Sequence, residues 1–430
     1  MNRLFSLLYN STIQLYRLAI GIASIWDPKA KEWLQGRKNQ FINIENSLAA
    51  DEYRVWFHCA SAGEFEQGRP VIEAYRRKWP HHKIVLTFFS PSGYELRKNY
   101  SGADYIFYLP LDTKSNAQQL IALIQPRLAI FVKYEFWYYH LKELKKLKIP
   151  VVLISGIFRS NQVFFKWYGK PLQASLRCFQ QFFVQDESSL QLLKQNGFTN
   201  AVVSGDTRFD RVWEITQHPS AIQPIEKFTA GNKLFVAGST WPEDEKLIRE
   251  LILKIDSGWK WIIVPHEVND TNISNIQSFF KSDMLLFSQA EKSDGPLPQK
   301  IMVVDSVGLL SSIYQYATIA YIGGGFGKGI HNTLEAAAYG IPVIFGPNYQ
   351  KFMEAKMLIE NKGARAVNDA SELKAAIAFY QQPENIPLGK SNRDWVQKHT
   401  GATTIIIEYL EQLYRNQESG TRNQEPGTKD

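Results

Sequence analysis

From residue 50 onward the chain alternates short apolar runs with amphipathic stretches. Runs at Val55–Cys59, Ile84–Phe88, Tyr105–Leu109, Leu128–Val132, Val151–Ile154, Phe182–Val184 and Val202–Val203 predict strands. Their near-continuous Val, Ile and Phe content suits strands covered by helices on both faces. Helical spacing appears between them, at Gln67–Trp79, Ser115–Ile124, Trp137–Leu147 and Ser188–Gln195. The stretch Asp206–Asn232, with Pro219 and Pro224, breaks the rhythm and reads as a linker. The alternation then restarts. Strands are predicted at Leu234–Ala237, Trp261–Val264, Met284–Phe287, Met302–Val304, Ile319–Ile322 and Val343–Phe345. Helices are predicted at Glu243–Ile255, Gly308–Tyr316, Thr333–Ala338 and Met353–Asn361. Two doubly wound α/β halves in succession imply a cleft between them, where strand C-termini and helix N-termini converge.

The two ends of the chain differ from this pattern. Leu4 to Trp26 carries one charge, Arg17, and is long enough to span a bilayer. Its polar residues, however, recur every three or four positions (Ser6, Asn10, Gln14, Arg17, Gly21, Ser24) and gather on one helical face. Leu4, Leu8, Leu15, Leu18, Ile22 and Ile25 gather on the other, which suits a helix lying in a membrane interface. A cleaved signal peptide is disfavoured because Arg17 interrupts the apolar core. A helix packed on its own domain is the plain alternative. At the other end, residues 416–428 read NQESGTR and then NQEPGT, a tandem repeat without aliphatic residues that predicts disorder. The expected organisation is a membrane-associating segment over 1–40, a first domain over 41–215, a second over 216–415 and a disordered tail over 416–430.

Composition narrows the class. Of 430 residues, 44% are hydrophobic and 21% charged, enough apolar content for sizeable cores. Two cysteines, Cys59 and Cys178, exclude a disulfide framework and a thiolate zinc site. The net charge is +7, and residues 1–40 hold six basic groups against two acidic ones. No zinc-finger spacing or RNP-type aromatic signature accompanies this charge, so a nucleic-acid partner is not expected. An anionic membrane surface and anionic substrates fit its location better.

Four segments carry chemistry. Gly323 to Glu335 (GGGFGKGIHNTLE) follows a predicted strand and opens a helix, a place where backbone amides approach a phosphate. It matches neither the Walker pattern nor GxGxxG, which leaves diphosphate or nucleotide-sugar binding and a tight structural turn. His58 to Glu64 (HCASAGE) follows the first strand. Glu64 there is either a general base or the partner of Ser61 in a capping box. Lys133 to Trp137 (KYEFW) places Glu135 after another strand, as an acid–base carboxylate or a helix-dipole partner. Gly205 to Asp210 (GDTRFD) offers Arg208 to a leaving phosphate or to an ion pair between the halves. No HExxH, HxH or GxSxG exists, so neither a metal site nor a serine hydrolase is expected.

In order and spacing these four motifs resemble the 3-deoxy-D-manno-octulosonic acid (Kdo) transferase family of lipid A biosynthesis, from the N-terminal segment to about residue 415. The resemblance implies the GT-B architecture of two Rossmann-like domains facing across a cleft, preceded by an N-terminal membrane-associating helix. The first domain would take the acceptor and the second the nucleotide sugar. It implies inverting transfer of Kdo from CMP-Kdo to a lipid A precursor, with no metal or other cofactor, at the cytoplasmic side of the inner membrane. By motif, Glu64 matches the catalytic base, and Glu135 and Arg208 match residues that stabilise the transition state. Arg208 stands where the family usually has Lys. Pro265 and His266, the loop Val307, Gly308 and Leu309, and Asn332, Thr333, Leu334 and Glu335 match the CMP site. Two departures are visible: Pro265-His266-Glu267 replaces a Pro-Arg-His-Pro-Glu run, and Leu309 stands in place of an acid. The competing readings are another GT-B enzyme using a UDP- or ADP-sugar, and a non-catalytic sugar-nucleotide-binding membrane protein.

Overall fold

The computed structural model describes residues 3–255, 258–280 and 283–422. The chain divides into two units. Of the described residues, those up to 210 and from 400 to 422 form the first, and Arg211–His399 the second.

The first unit is built on a seven-stranded, all-parallel sheet. Its strands are β1 (Arg54–Cys59), β2 (Lys83–Phe88), β3 (Tyr105–Tyr108), β4 (Leu128–Val132), β5 (Val151–Gly156), β6 (Gln181–Val184) and β7 (Ala201–Val203). Their order is β3-β2-β1-β4-β5-β6-β7. The direction of winding therefore reverses between β1 and β4, and the loops after those two strands flank the switch point. Alternate residues of β1 feed opposite cores. Trp56 packs on one face with Phe131, Leu141 and Leu153. Val55 and Phe57 pack on the other with Ile72, Tyr75 and Val132.

That second face is closed by the end of the chain. Helix Ala402–Arg422 lays Ile406, Leu410 and Leu413 on it, an i, i+4, i+7 stripe. Two expectations change as a result. Residues from Thr400 group with the first unit, whereas the sequence assigns them to the second. Residues 416–422, expected to be disordered, continue the helix to Arg422, because propagating an already nucleated helix costs little. The rest of the expected disordered tail, 423–430, lies outside the described residues.

The second unit repeats the plan with β8 (Lys233–Thr240), β9 (Trp259–Pro265), β10 (Met284–Leu286), β11 (Ile301–Val303), β12 (Ile319–Ile322), β13 (Val343–Phe345) and β14 (Ala364–Ala366). The all-parallel order is β10-β11-β9-β8-β12-β13-β14, with the switch point between β8 and β12. The stretch read as a linker holds two helices, Thr207–Gln217 and Gln223–Thr229. In the first, Phe209, Val212 and Thr216 are buried at helical spacing. In the second, Pro224 occupies the first turn, where a missing N–H costs nothing.

The N-terminal helix, Arg3–Ala23, is divided lengthwise. One edge packs on the first unit: the Phe5 and Tyr9 rings each lie 5.4 Å from Tyr138, and Ile13 joins Trp33 and Leu111. The adjoining face leaves Leu15 65%, Leu18 60% and Ile22 50% exposed, and Ile25 beyond the helix end 79%. Among the described residues no helix is long and apolar enough to cross a membrane.

Candidate active site

In the first unit Glu64 and Glu135 follow β1 and β4, the two strands at the switch point. Helix Ala62–Lys78 begins directly after Ser61 and holds Glu64 in its first turn. Gly68 of this helix lies close against the strands. A Cβ there would sit 3.1 Å from both Cys59 Sγ and Val132 Cγ2. Glu64 is half-buried, and the Ser61 hydroxyl donates to its Oε2. Ser61 makes no side-chain bond to the helix backbone, so the capping-box arrangement does not form. Nearby, the fully buried Cys59 thiol is pushed well up, first by burial and then by Glu64 and Glu135.

Glu135 is buried and clamped. His58 Nε2 lies 3.1 Å from its Oε2, and Trp137 Nε1 donates to the same oxygen at 2.6 Å. His58 Nδ1 meets Thr87 Oγ1 at 2.9 Å, and Trp56 Nε1 donates to that hydroxyl at 2.8 Å. Trp137 Nε1 also lies 3.0 Å from His58 Nε2; assigned as protonated on Nε2, His58 donates to Glu135 and accepts from Thr87, which accepts from Trp56. A carboxylate receiving two N–H donors keeps its position when charge changes beside it. Sequence reasoning missed the clamp, because Thr87 lies on β2 and no local spacing links it to His58.

Arg208 sits at the start of helix Thr207–Gln217. Its Nη2 lies 2.7 Å and its Nε 2.9 Å from Asp206 Oδ2, a pair formed within one turn of chain. Thr207 donates to the carbonyl of Gln67, in the helix that carries Glu64. Asp210 accepts from the Gly401 and Thr403 amides at 2.6 and 2.7 Å and so caps the C-terminal helix. A pocket of about 800 Å³ adjoins Glu135, lined by Tyr134, Phe136, Trp137, Arg159, Phe164 and, from the N-terminal helix, Tyr9.

In the second unit the loops after β8 and β12 meet at the corresponding switch point. Asp244 joins them: Oδ2 accepts from the Trp241 and Gly324 amides at 2.9 and 2.8 Å, and Oδ1 from Tyr321 at 2.7 Å. Beside it Trp241, His266 and His331 stack, with 4.9 Å between Trp241 and His266 and 4.2 Å between the two imidazoles. Trp241 Nε1 donates to His331 Nε2 at 2.9 Å. Burial and then His266 lower the pKa of His331 to about 4, which keeps that nitrogen an acceptor. Trp241 is distant in sequence from both histidines, and no motif announced the stack.

The glycine-rich loop is shaped largely by its own backbone. A Cβ at Gly323 would lie 2.3 Å from Ser239 O, and one at Gly325 2.5 Å from Gly346 N. Gly324 and Gly329 have φ of +89° and +135°. The helix that follows is one turn, Leu334–Ala337, so its dipole is small. The Leu334 amide is already taken by Asn332 Oδ1 at 3.1 Å, and Asn332 Nδ2 donates to Glu335 at 3.0 Å. Leu334 and Thr333 are buried. Pro265 ends β9, and Val307 is 82% exposed on the loop after β11. Gly308 has φ +87°, and Leu309 precedes the short helix Leu310–Ile313. The candidates Pro265, His266 and Asn332–Glu335 therefore follow β9 and β12, which flank β8. Val307–Leu309 lie one strand further out. Among the described residues no cluster of His, Cys, Asp and Glu side chains is arranged to hold a metal.

Comparison with known proteins bears on the fold and the family. Residues 32–211 match the family model described as 3-deoxy-D-manno-octulosonic-acid transferase (kdotransferase). A 3-deoxy-D-manno-octulosonic acid transferase of Haemophilus influenzae is 24% identical over 91% of this chain and 93% of its own. One from Aquifex aeolicus is 28% identical over 74% and 83%. The UDP-GlcNAc 2-epimerase of Neisseria meningitidis shares the fold, with a TM-score of 0.55 at 15% identity over 84% of this chain and all of its own. With two parallel-sheet α/β domains of the GT-B kind, the chain is similar along most of its length to 3-deoxy-D-manno-octulosonic acid transferases, and residues 32–211 match the model of that family.

Proposed function

We propose that the protein is an inverting glycosyltransferase that moves Kdo from CMP-Kdo to a lipid A precursor in lipopolysaccharide biosynthesis. The observation that carries this reading is the pair of carboxylates on either side of the first sheet's switch point, one half-open and one clamped, in a chain similar to these transferases. Glu64 is the general base and takes the proton from the acceptor's primary hydroxyl as that oxygen attacks the anomeric carbon. Glu135, held by His58 and Trp137, stabilises positive charge that develops on the sugar. The C–O bond to CMP breaks in the same displacement, and Arg208 meets the departing phosphate.

The second unit takes the CMP portion. Pro265, His266, Val307, Gly308, Leu309, Asn332, Thr333, Leu334 and Glu335 are assigned to it. Thr333 and Leu334 are buried and the Leu334 amide is bonded to Asn332 Oδ1, so these two shape the turn that presents Asn332 and Glu335. Donor and acceptor both carry negative charge, and a chain of net charge +7 steers toward each. The exposed Leu and Ile face of the N-terminal helix, with Arg17 beside it, attaches the protein to the anionic cytoplasmic face of the inner membrane.

Incubation of the purified chain with CMP-Kdo and lipid A precursor, followed by mass spectrometry, tests the assignment. A product heavier than the acceptor by one or more Kdo units is expected, together with free CMP. Stabilisation of the fold by UDP but not CMP, with no such product, would overturn it.

A further inference from the structure

We propose that Tyr9, on the N-terminal helix, is a positioning residue for acceptor chemistry, acting through buried Asp112 on the segment that holds Trp137 and Glu135. The inference rests on the glycosyltransferase reading above and assigns the helix a second role besides attachment.

Three observations carry it. The Tyr9 ring forms part of the wall of the 800 Å³ pocket that Glu135 and Trp137 also line. Its hydroxyl donates to Asp112 Oδ2 at 2.5 Å. Asp112, itself inaccessible to solvent, accepts from the Tyr139 amide at 3.0 Å, the His140 amide at 3.0 Å and His140 Nδ1 at 2.5 Å. These amides belong to the first turn of helix Tyr138–Lys146, which begins directly after Trp137. One carboxylate thus ties the N-terminal helix to the start of the helix from which the Glu135 clamp is suspended.

The charges support the tie. Despite complete burial the Asp112 carboxyl is held below the usual range, His140 being the largest opposing influence. Burial and Asp112 push the Tyr9 phenol upward, so it remains a donor. Removing a donor to a buried carboxylate leaves a lone pair unsatisfied, and the neighbouring turn shifts to compensate. Trp137 then moves relative to Glu135, and displacement on the ångström scale at a reacting centre is costly.

Tyr9→Phe keeps the pocket wall and removes only the hydroxyl. Leu15→Ser changes the exposed face of the same helix and serves as the control. Both are assayed with CMP-Kdo and detergent-dispersed acceptor, so membrane recruitment does not limit the rate, and CMP affinity is measured separately. Tyr9→Phe is expected to lose about 10–100-fold in kcat/KM for acceptor at unchanged CMP affinity, while Leu15→Ser matches the wild-type chain. Wild-type kinetics in Tyr9→Phe would overturn the proposal and leave the glycosyltransferase reading standing. Equal losses in both variants would overturn it too, since the helix would then act only in acceptor delivery. A parallel loss of CMP affinity in Tyr9→Phe would mark general unfolding and likewise overturn it. A wild-type chain without turnover overturns both readings.

Discussion

Glu64 and Glu135 occupy equivalent places after neighbouring strands, yet their surroundings differ in a way that suits the different tasks proposed for them. Glu135 receives N–H donors from His58 and Trp137, whereas Glu64 has the rotatable Ser61 hydroxyl. A group that must take up a proton needs the looser setting. Glu64→Gln is expected to lower turnover by about 10²–10⁴-fold with CMP affinity intact, as rate and dissociation constants measured separately will show. His331 supplies a second test. Its folded pKa of about 4 lies below the unperturbed 6.5, so between those values the unfolded chain binds more protons and stability rises with pH. This contribution is complete above pH 6.5 and is lost as pH falls toward 4. The full shift corresponds to ~3 kcal/mol, and partial exposure of the ring reduces that to about 1–2 kcal/mol. Thermal melts across this range should show the slope in the wild-type chain and a flatter one in His331→Asn.

At the scale of elements, strands were the most legible features. Leu128–Val132 and Ile319–Ile322 coincide with their apolar runs residue for residue. β14 was not legible, because Ala364-Arg365-Ala366 has no apolar alternation and pairs only at a sheet edge. Prolines misled in the other direction, since Pro224 starts a helix that composition alone reads as linker. The site followed the same rule. The candidates Glu64 and Glu135 were visible because each follows a strand and a turn, and the candidate Arg208 because its motif stands where the alternation breaks. The Thr87 and Asp112 ties were hidden because they join residues far apart in sequence. The glycine-rich loop permits a test that separates packing from ligand approach. Gly325→Ala places a Cβ against the Gly346 backbone and should destabilise the second unit by about 1–3 kcal/mol in denaturant unfolding. Gly327 has only Gly324 O nearby, at 3.7 Å, so Gly327→Ala should leave stability within about 0.5 kcal/mol. A fall in CMP affinity in Gly327→Ala alone would mark that position as one where the donor approaches the backbone.

At the scale of the whole molecule, apolar surface and positive charge coincide near the N-terminus. Leu18→Ser with Ile22→Ser removes two exposed side chains without touching the Tyr9 edge. The double variant is expected to detach from vesicles containing anionic lipid while keeping turnover on detergent-dispersed acceptor. Wild-type binding should weaken with added salt, each basic residue at the surface being worth about 1 kcal/mol. Sedimentation with vesicles at two ionic strengths checks both statements. The other end of the chain bears on biogenesis. Ile406, Leu410 and Leu413 close one face of a sheet whose first strand begins at Arg54, and the whole of Arg211–His399 is translated in between. At 5–20 residues per second the ribosome needs about 10–40 s for that stretch. During that interval Ile72, Tyr75 and Phe183 lack their covering helix, and the nascent first unit presents an apolar face to holdase chaperones. A chain released early by a stop codon near residue 400 would keep that face open permanently and be a target for quality-control proteolysis, even with every proposed catalytic residue already in place.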